Sequence, residues 1–215
     1  MTRPPGGYNP GMNLSLWLVH PDAEACDAFR RRFEDLPRVR VFQAKFEDLP
    51  PHDCFVTAGN SYGLMTAGID AVVVERFGED IMRAVQLRIL SDYFGEQPVG
   101  TAFVIPTGDS QIPCLCHAPT MRVPGNIEGT EKVYLATFAA LVAVFHHNRT
   151  TDRTLETVAM PAMGTGFGGV AFDEAARQMA VADRQFLEPP HRLDWEVVTA
   201  RHKEICYDGT ARVVK

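Results

Sequence analysis

No apolar run in this sequence approaches the roughly 18 residues of a membrane-spanning helix, which excludes a helical membrane protein. Cysteine is sparse and odd in number: Cys26, Cys54, Cys114, Cys116 and Cys206 are scattered along 215 residues. Such a set is no disulfide framework and points to a reducing compartment. Positive charge is short, with 21 Lys and Arg against 27 Asp and Glu and a net charge of −6. That argues against gripping nucleic acid by bulk charge and leaves room only for a local basic patch. The sequence has no internal repeat, no low-complexity block and no linker long enough to divide it. Its opening, MTRPPGGYNPGM, has almost nothing to bury and no apolar core of the kind a secretory signal carries. Residues 1–12 are therefore expected to be a flexible tail, residues 13–215 a single domain, and the cytoplasm its location.

What is present suits a globular protein. Hydrophobic residues make up 46% and charged residues 22%, which excludes whole-chain disorder. A chain this long buries about 70% of its unfolded surface and needs no disulfide or metal staple. Short apolar runs predict strands at Leu14–His20, Val39–Phe42, Cys54–Ala58, Thr101–Pro106, Pro113–His117 and Thr157–Met163, and a last one around Trp195–Val198. Helical patterns predict helices from Pro21-Asp22 to about Leu36, from about Ile69 to Phe94 with Gly78 interrupting, over Glu131–Asn148, and over Phe172–Leu187. This alternation predicts crossover connections and an α/β fold: a mostly parallel sheet with helices on both faces.

Two Gly-rich loops each leave a strand and enter a helix: Gly59-Asn60-Ser61-Tyr62-Gly63-Leu64-Met65-Thr66-Ala67-Gly68 and Gly164-Thr165-Gly166-Phe167-Gly168-Gly169. In such sheets ligands sit beyond the carboxyl ends of the strands. Backbone amides bared by glycine at a helix N-terminus hold anions. Two loops on one sheet edge suit two linked phosphates; the bland alternative is that the glycines serve turns and close packing.

Two motifs collide with other chemistries. Gly164–Gly169 satisfies G-x-G-x-x-G, with Glu188 as the acid that a dinucleotide site requires. However, fewer than 50 residues follow, too few for the rest of such a domain. Gly59–Gly63 satisfies G-x-S-x-G, the elbow of serine hydrolases, with five histidines downstream for a triad. The helix, however, starts late for an elbow. Cys114, Cys116 and His117 match no zinc spacing, and on a strand His117 points away from the other two.

Val56-Thr57-Ala58-Gly59-Asn60-Ser61 followed by Ala67-Gly68-Ile69-Asp70 resembles the first signature of the macrodomain family, in which a V-N-A-A-N-S-type run precedes G-[VI]-D. Met160-Pro161-Ala162-Met163-Gly164-Thr165-Gly166 resembles the second, P-A-[IL]-[SG]-T-G, and Ala118–Pro124 resembles a bacterial and phage-associated branch. The resemblance spans roughly Leu14–Leu187. It implies a three-layer α/β/α sandwich with a mixed, mostly parallel sheet that binds ADP-ribose. It further implies that Asn60 and Asp70 hold the distal ribose and place the attacking water in hydrolytic members. Gly59, Ser61, Gly68 and Ile69 would wrap the ribose and one phosphate, and Gly164, Thr165, Gly166, Phe167 and Gly168 the diphosphate. No metal or cofactor is implied. The implied partner is ADP-ribose or an ADP-ribosylated substrate, with nucleic acid only where it is itself ADP-ribosylated, and no membrane.

The residues agree with that chemistry. A carboxylate beside the ribose can stabilise charge at the anomeric carbon or orient a water, and an Asn offers ribose both a donor and an acceptor. Taken alone, Asp70 could be a first-turn acid on a helix dipole and Asn60 a turn residue. The family's adenine-binding acid falls on Phe46 or Lys45, neither of them acidic, and Glu47 is expected to point elsewhere. Phe46 is expected in the core, with stacking on a base as the alternative. Thr57 replaces the first Asn of the signature. Arg122, bracketed by Pro119 and Pro124, is either a surface residue paired with an acid or a contact that selects substrate. Three functions stay open: an ADP-ribosyl hydrolase, a non-catalytic ADP-ribose reader, and a serine hydrolase using Ser61.

Overall fold

The computed structural model describes residues 14–206; the expected tail at residues 1–12 lies outside them. One six-stranded sheet runs through the molecule in the order β2-β1-β6-β3-β5-β4. Its strands are β1 (Ser15–His20), β2 (Val39–Gln43), β3 (Cys54–Thr57), β4 (Phe103–Pro106), β5 (Cys114–His117) and β6 (Thr157–Pro161). All neighbours pair in parallel except β4, which runs antiparallel to β5 at the edge.

The two-residue period of the strands sorts the core into two layers. Leu16 and Leu18, Cys54 and Val56, Cys114 and Cys116, and Val158 and Met160 face one side. There they pack against α1 (Ala23–Arg32), α4 (Lys132–Thr150) and α5 (Phe172–Leu187). Trp17, Val19, Phe55, Leu115 and Ala159 face the other, under α2 (Gly68–Phe77) and α3 (Glu79–Tyr93). The fold is thus a three-layer α/β/α sandwich. In α4 the apolar spacing Val133, Ala136, Ala140, Leu141, Val144 places one stripe on the sheet. In α1, Asp22 caps the helix by accepting from the Glu24 amide at 2.8 Å, and Arg30, Arg31 and Arg32 complement the dipole at its end.

Three expectations need correction. Trp195–Val198 is not a strand but opens a helix, α6 (Trp195–Ile205). The β-branched run suggested a strand, yet the Asp194 carboxylate accepts from the Val197 amide at 3.0 Å and caps a helical turn. The first helix ends at Arg32, and Phe33–Leu36 closes as a turn with the Leu36 amide donating to the Phe33 carbonyl. Strict alternation also fails between β4 and β5, where the short connection permits only an antiparallel partner; a parallel crossover needs a dozen or more residues.

Candidate functional site

The carboxyl ends of the central strands β1, β6 and β3 open into a cleft of about 470 Å³, within the size range of small-molecule sites. Both Gly-rich loops reach it, because β3 and β6 are neighbours in the sheet. Gly59, Asn60, Gly68, Ile69 and Asp70 line one wall, and Gly164, Thr165, Gly166, Phe167 and Gly168 the other.

The second loop is a preformed cradle. The Gly169 amide donates to the Gly166 carbonyl at 3.1 Å, Val170 to Gly164 at 3.3 Å, and Ile127 to Gly168 at 2.8 Å. Gly164 has φ +74°, which only glycine adopts without strain. Among the described residues, the amides of Thr165, Gly166, Phe167 and Gly168 have no hydrogen-bond partner. The two inner glycines differ. A Cβ on Gly166 meets nothing within 4 Å, whereas one on Gly168 would overlap the Gly164 carbonyl oxygen and come within 2.9 Å of Ile127. Gly168 therefore serves packing, and Gly166 keeps open space. On the opposite wall α2 starts without a side-chain cap, so the amides of Gly68, Ile69 and Asp70 are unclaimed as well.

Asp70 sits in the first turn of α2, 5% exposed, with the Thr57 hydroxyl donating to its Oδ1. Burial raises its carboxyl to about 6, against the opposing pull of that hydrogen bond. It is therefore more than a solvated first-turn acid. Asn60 is engaged within its own loop. Its Oδ1 accepts from the Tyr62 and Leu64 amides at 3.1 and 3.3 Å, and its Nδ2 donates to the Leu64 carbonyl at 2.8 Å. One N–H of the carboxamide is left over.

Two expected site residues do not line the cleft. Ser61 is buried, its amide donating to the Met121 carbonyl at 3.0 Å and its hydroxyl to the same oxygen at 3.4 Å. The serine-hydrolase elbow is thereby overturned: α2 begins only at Gly68, and the Ser61 hydroxyl serves a carbonyl rather than a histidine. Arg122 is exposed and forks onto Glu96, Nε to Oε1 at 2.7 Å and the terminal nitrogen to Oε2 at 2.8 Å. The dinucleotide reading fails too, because Glu188 caps the far end of α5, about 24 Å along a 16-residue helix. Cys114 and Cys116 face the α4–α5 layer, and no cluster of three metal-binding side chains occurs among the described residues.

Several lining residues escaped the sequence reading. His20 ends β1 and Pro21 follows it, and Thr120 lies beside Gly59 with its buried hydroxyl unpartnered among the described residues. Contrary to expectation, Glu47 also lines the cleft, as does Lys45. A short 3-10 turn over Phe46–Asp48 turns these side chains toward it. Phe46 packs in the core as expected, 4.2 Å from the Phe55 ring centre.

The comparisons with known proteins speak to the family and the fold. The macro domain family profile matches residues 56–179. The chain is 37% identical over 135 residues to an uncharacterised protein of Aquifex aeolicus, covering 62% of this chain and 74% of that one. It is 32% identical over 148 residues to an uncharacterised protein of Aeropyrum pernix, covering 69% and 66%. Among solved structures, the macrodomain of Mycobacterium tuberculosis DarG superposes with a TM-score of 0.54 at 20% identity, covering 67% of this chain and 88% of that one. A variant of the Oceanobacillus iheyensis macrodomain with ADPR superposes with a TM-score of 0.57 at 18% identity, covering 83% and 81%. The chain belongs to the macro domain family.

Proposed function

We propose that this chain binds ADP-ribose and hydrolyses an ADP-ribosyl derivative without a metal. The observation that carries the reading is the pair of stretches whose amides are unclaimed among the described residues, Thr165–Gly168 and Gly68–Asp70, both lining one cleft. Amides so placed suit two linked phosphates and need no cation. The Oceanobacillus iheyensis neighbour bound to ADPR supports the same ligand. Asp70 stands at the end of the first loop, where the distal ribose would reach. A carboxyl held near neutrality there suits two tasks: orienting an attacking water and stabilising positive charge as the glycosidic bond lengthens. Asn60 shapes the loop and keeps one N–H for a ribose hydroxyl. His20, Lys45 and Glu47 wall the end left for the base. The substrate is an ADP-ribosylated protein, nucleic acid or small molecule, and the site of action is the cytoplasm.

The engagement of the Asn60 carboxamide within its own loop favours a second reading, a non-catalytic reader of ADP-ribose. Calorimetric titration with ADP-ribose, NAD and ATP tests binding, with ADP-ribose expected to bind tightest; silence with all three overturns both readings. Release of ADP-ribose from modified substrates then separates hydrolase from reader.

A further inference from the structure

Helix α3 carries two apolar faces, and the fold uses one of them. Ile81, Val85 and Ile89 are buried against the sheet. On the opposite side Leu87, Leu90 and Phe94 are 66%, 62% and 95% exposed. At about 100° per residue, Arg83, Leu87, Leu90 and Phe94 fall within about 60° of one another on that outer surface. They follow one another at the alternating four- and three-residue steps of a coiled-coil seam. Single exposed leucines are ordinary, but three large apolar side chains in one row mark a contact surface.

Phe94 supplies a second observation. It caps the C-terminus of α3 with φ +54°, the one positive φ outside glycine among the described residues. Glycine or asparagine usually fills that left-handed position, and a bulky side chain is strained there. The chain therefore holds a phenyl ring in an unfavourable conformation and shows nearly all of it to solvent, where it adds almost nothing to the core.

We propose that this face binds a second copy of the chain, α3 lying antiparallel on α3 about a two-fold axis midway between Leu87 and Leu90. A two-fold contact must be self-complementary, and this row is. In antiparallel register Leu87 meets Leu90 of the second copy, and Arg83 meets its Phe94, each contact being made twice. A guanidinium is attracted to the face of an aromatic ring, and the ion pairs of Arg83 are with Glu79 and Asp80 of its own helix, which the contact leaves in place. A parallel arrangement would instead set Arg83 against Arg83, which like charge disfavours. Size sets the strength. With about 200 Å² for a phenylalanine, the row amounts to something on the order of 400 Å² per copy, and the pair falls below the roughly 1,200–2,000 Å² of stable interfaces. The dimer is accordingly weak, with a dissociation constant of about 10 μM–1 mM. None of Leu87, Leu90 and Phe94 lines the cleft, so the pairing stands apart from the proposed hydrolysis.

The test is sedimentation velocity of the whole protein over a concentration series spanning that range. The parent is expected to move from monomer to dimer as concentration rises. Leu90→Glu should weaken association about 100-fold or more, with its unfolding midpoint unchanged. Should that variant fail to fold, Phe94→Asn serves: asparagine suits the turn, so dimerisation is expected to fall while stability holds or rises. Register is read by cross-linking, since all five native cysteines are buried. Under a mild oxidant, Arg83→Cys mixed with Phe94→Cys should form a disulfide-linked pair. Arg83→Cys alone should not, because its two copies lie about 16 Å apart along the helix axis. A parent that stays monomeric throughout, a dimer that survives both Leu90→Glu and Phe94→Asn, or Arg83→Cys linking as readily alone as in the mixture overturns the proposal.

Discussion

Asp70 and Asp183 are two buried acids on helices that pack against opposite faces of one sheet. Burial raises both carboxyls above their usual range. Their company differs. Asp183 is fully buried on α5 and paired with Arg38, which also donates to the Leu14 carbonyl at 3.0 Å. Asp70 has a hydroxyl and an open cleft, with no cation in hydrogen-bond contact among the described residues. A buried carboxylate with its own cation is a structural tie between α5 and the edge of the sheet. One without a cation is held in a reactive state by the fold around it, at a cost to stability.

Breaking each acid should therefore give different losses. Asp70→Ala is expected to lower turnover of an ADP-ribosyl substrate by about 10²–10⁴-fold while ADP-ribose affinity changes little, measured by product release and calorimetry. Full activity in the variant would remove Asp70 from the mechanism. Asp183→Ala should leave binding intact and destabilise the fold by about 3–5 kcal/mol, because it strands the Arg38 charge in the interior; denaturant unfolding checks this. Gly166→Glu lies on the Asp70 side of the comparison. It should weaken ADP-ribose binding about 100-fold or more by like charge, with unfolding stability within about 0.5 kcal/mol of the parent. Retained affinity would displace the diphosphate from that loop.

A subtler prediction concerns the sign of stability. The folded state holds the Asp70 proton more tightly than the unfolded chain does, since the carboxyl rises from 3.8 to about 6. Its contribution is thus intact below pH 4 and lost as pH rises through 6. Asp70→Asn should stabilise the protein by about 1–3 kcal/mol at pH 8 and by nearly nothing at pH 4, read from denaturant midpoints. His117 has the opposite sign. Its ring falls from 6.5 to about 4, so its cost appears as pH drops below 6.5. The smallest effect is expected at Arg122, outside the cleft. Arg122→Lys should change turnover and affinity by less than about threefold each, and a selective loss of turnover would make Arg122 a substrate contact after all.

The helix over Phe172–Leu187 was legible to the residue, because its apolar face and flanking loop leave little freedom. The interval from Asn60 to Asp70 was legible as a motif, and the structure brings both residues to one wall. Three features were not legible, each for a physical reason. The direction of Glu47 depends on a one-turn 3-10 helix that no periodicity announces. The engagement of Asn60 is with backbone amides, whose positions exist only once the loop has closed. The pairing of Thr57 with Asp70 depends on where β3 ends and on the way α2 crosses it. At Trp195, one capping carboxylate outweighed a run of β-branched residues.

The stitching of the second loop to Ile127 has a kinetic consequence. Since Gly168 and Ile127 are tied and the loop closes on itself through Gly164 and Gly166, the stretch that lines the cleft is held in shape before any ligand arrives. Little ordering is left to do at encounter, so binding should follow a single exponential, with an association rate of about 10⁵–10⁷ M⁻¹s⁻¹. Changes that slow release would then set the affinity, and residence time rather than capture would distinguish one ADP-ribosyl ligand from another.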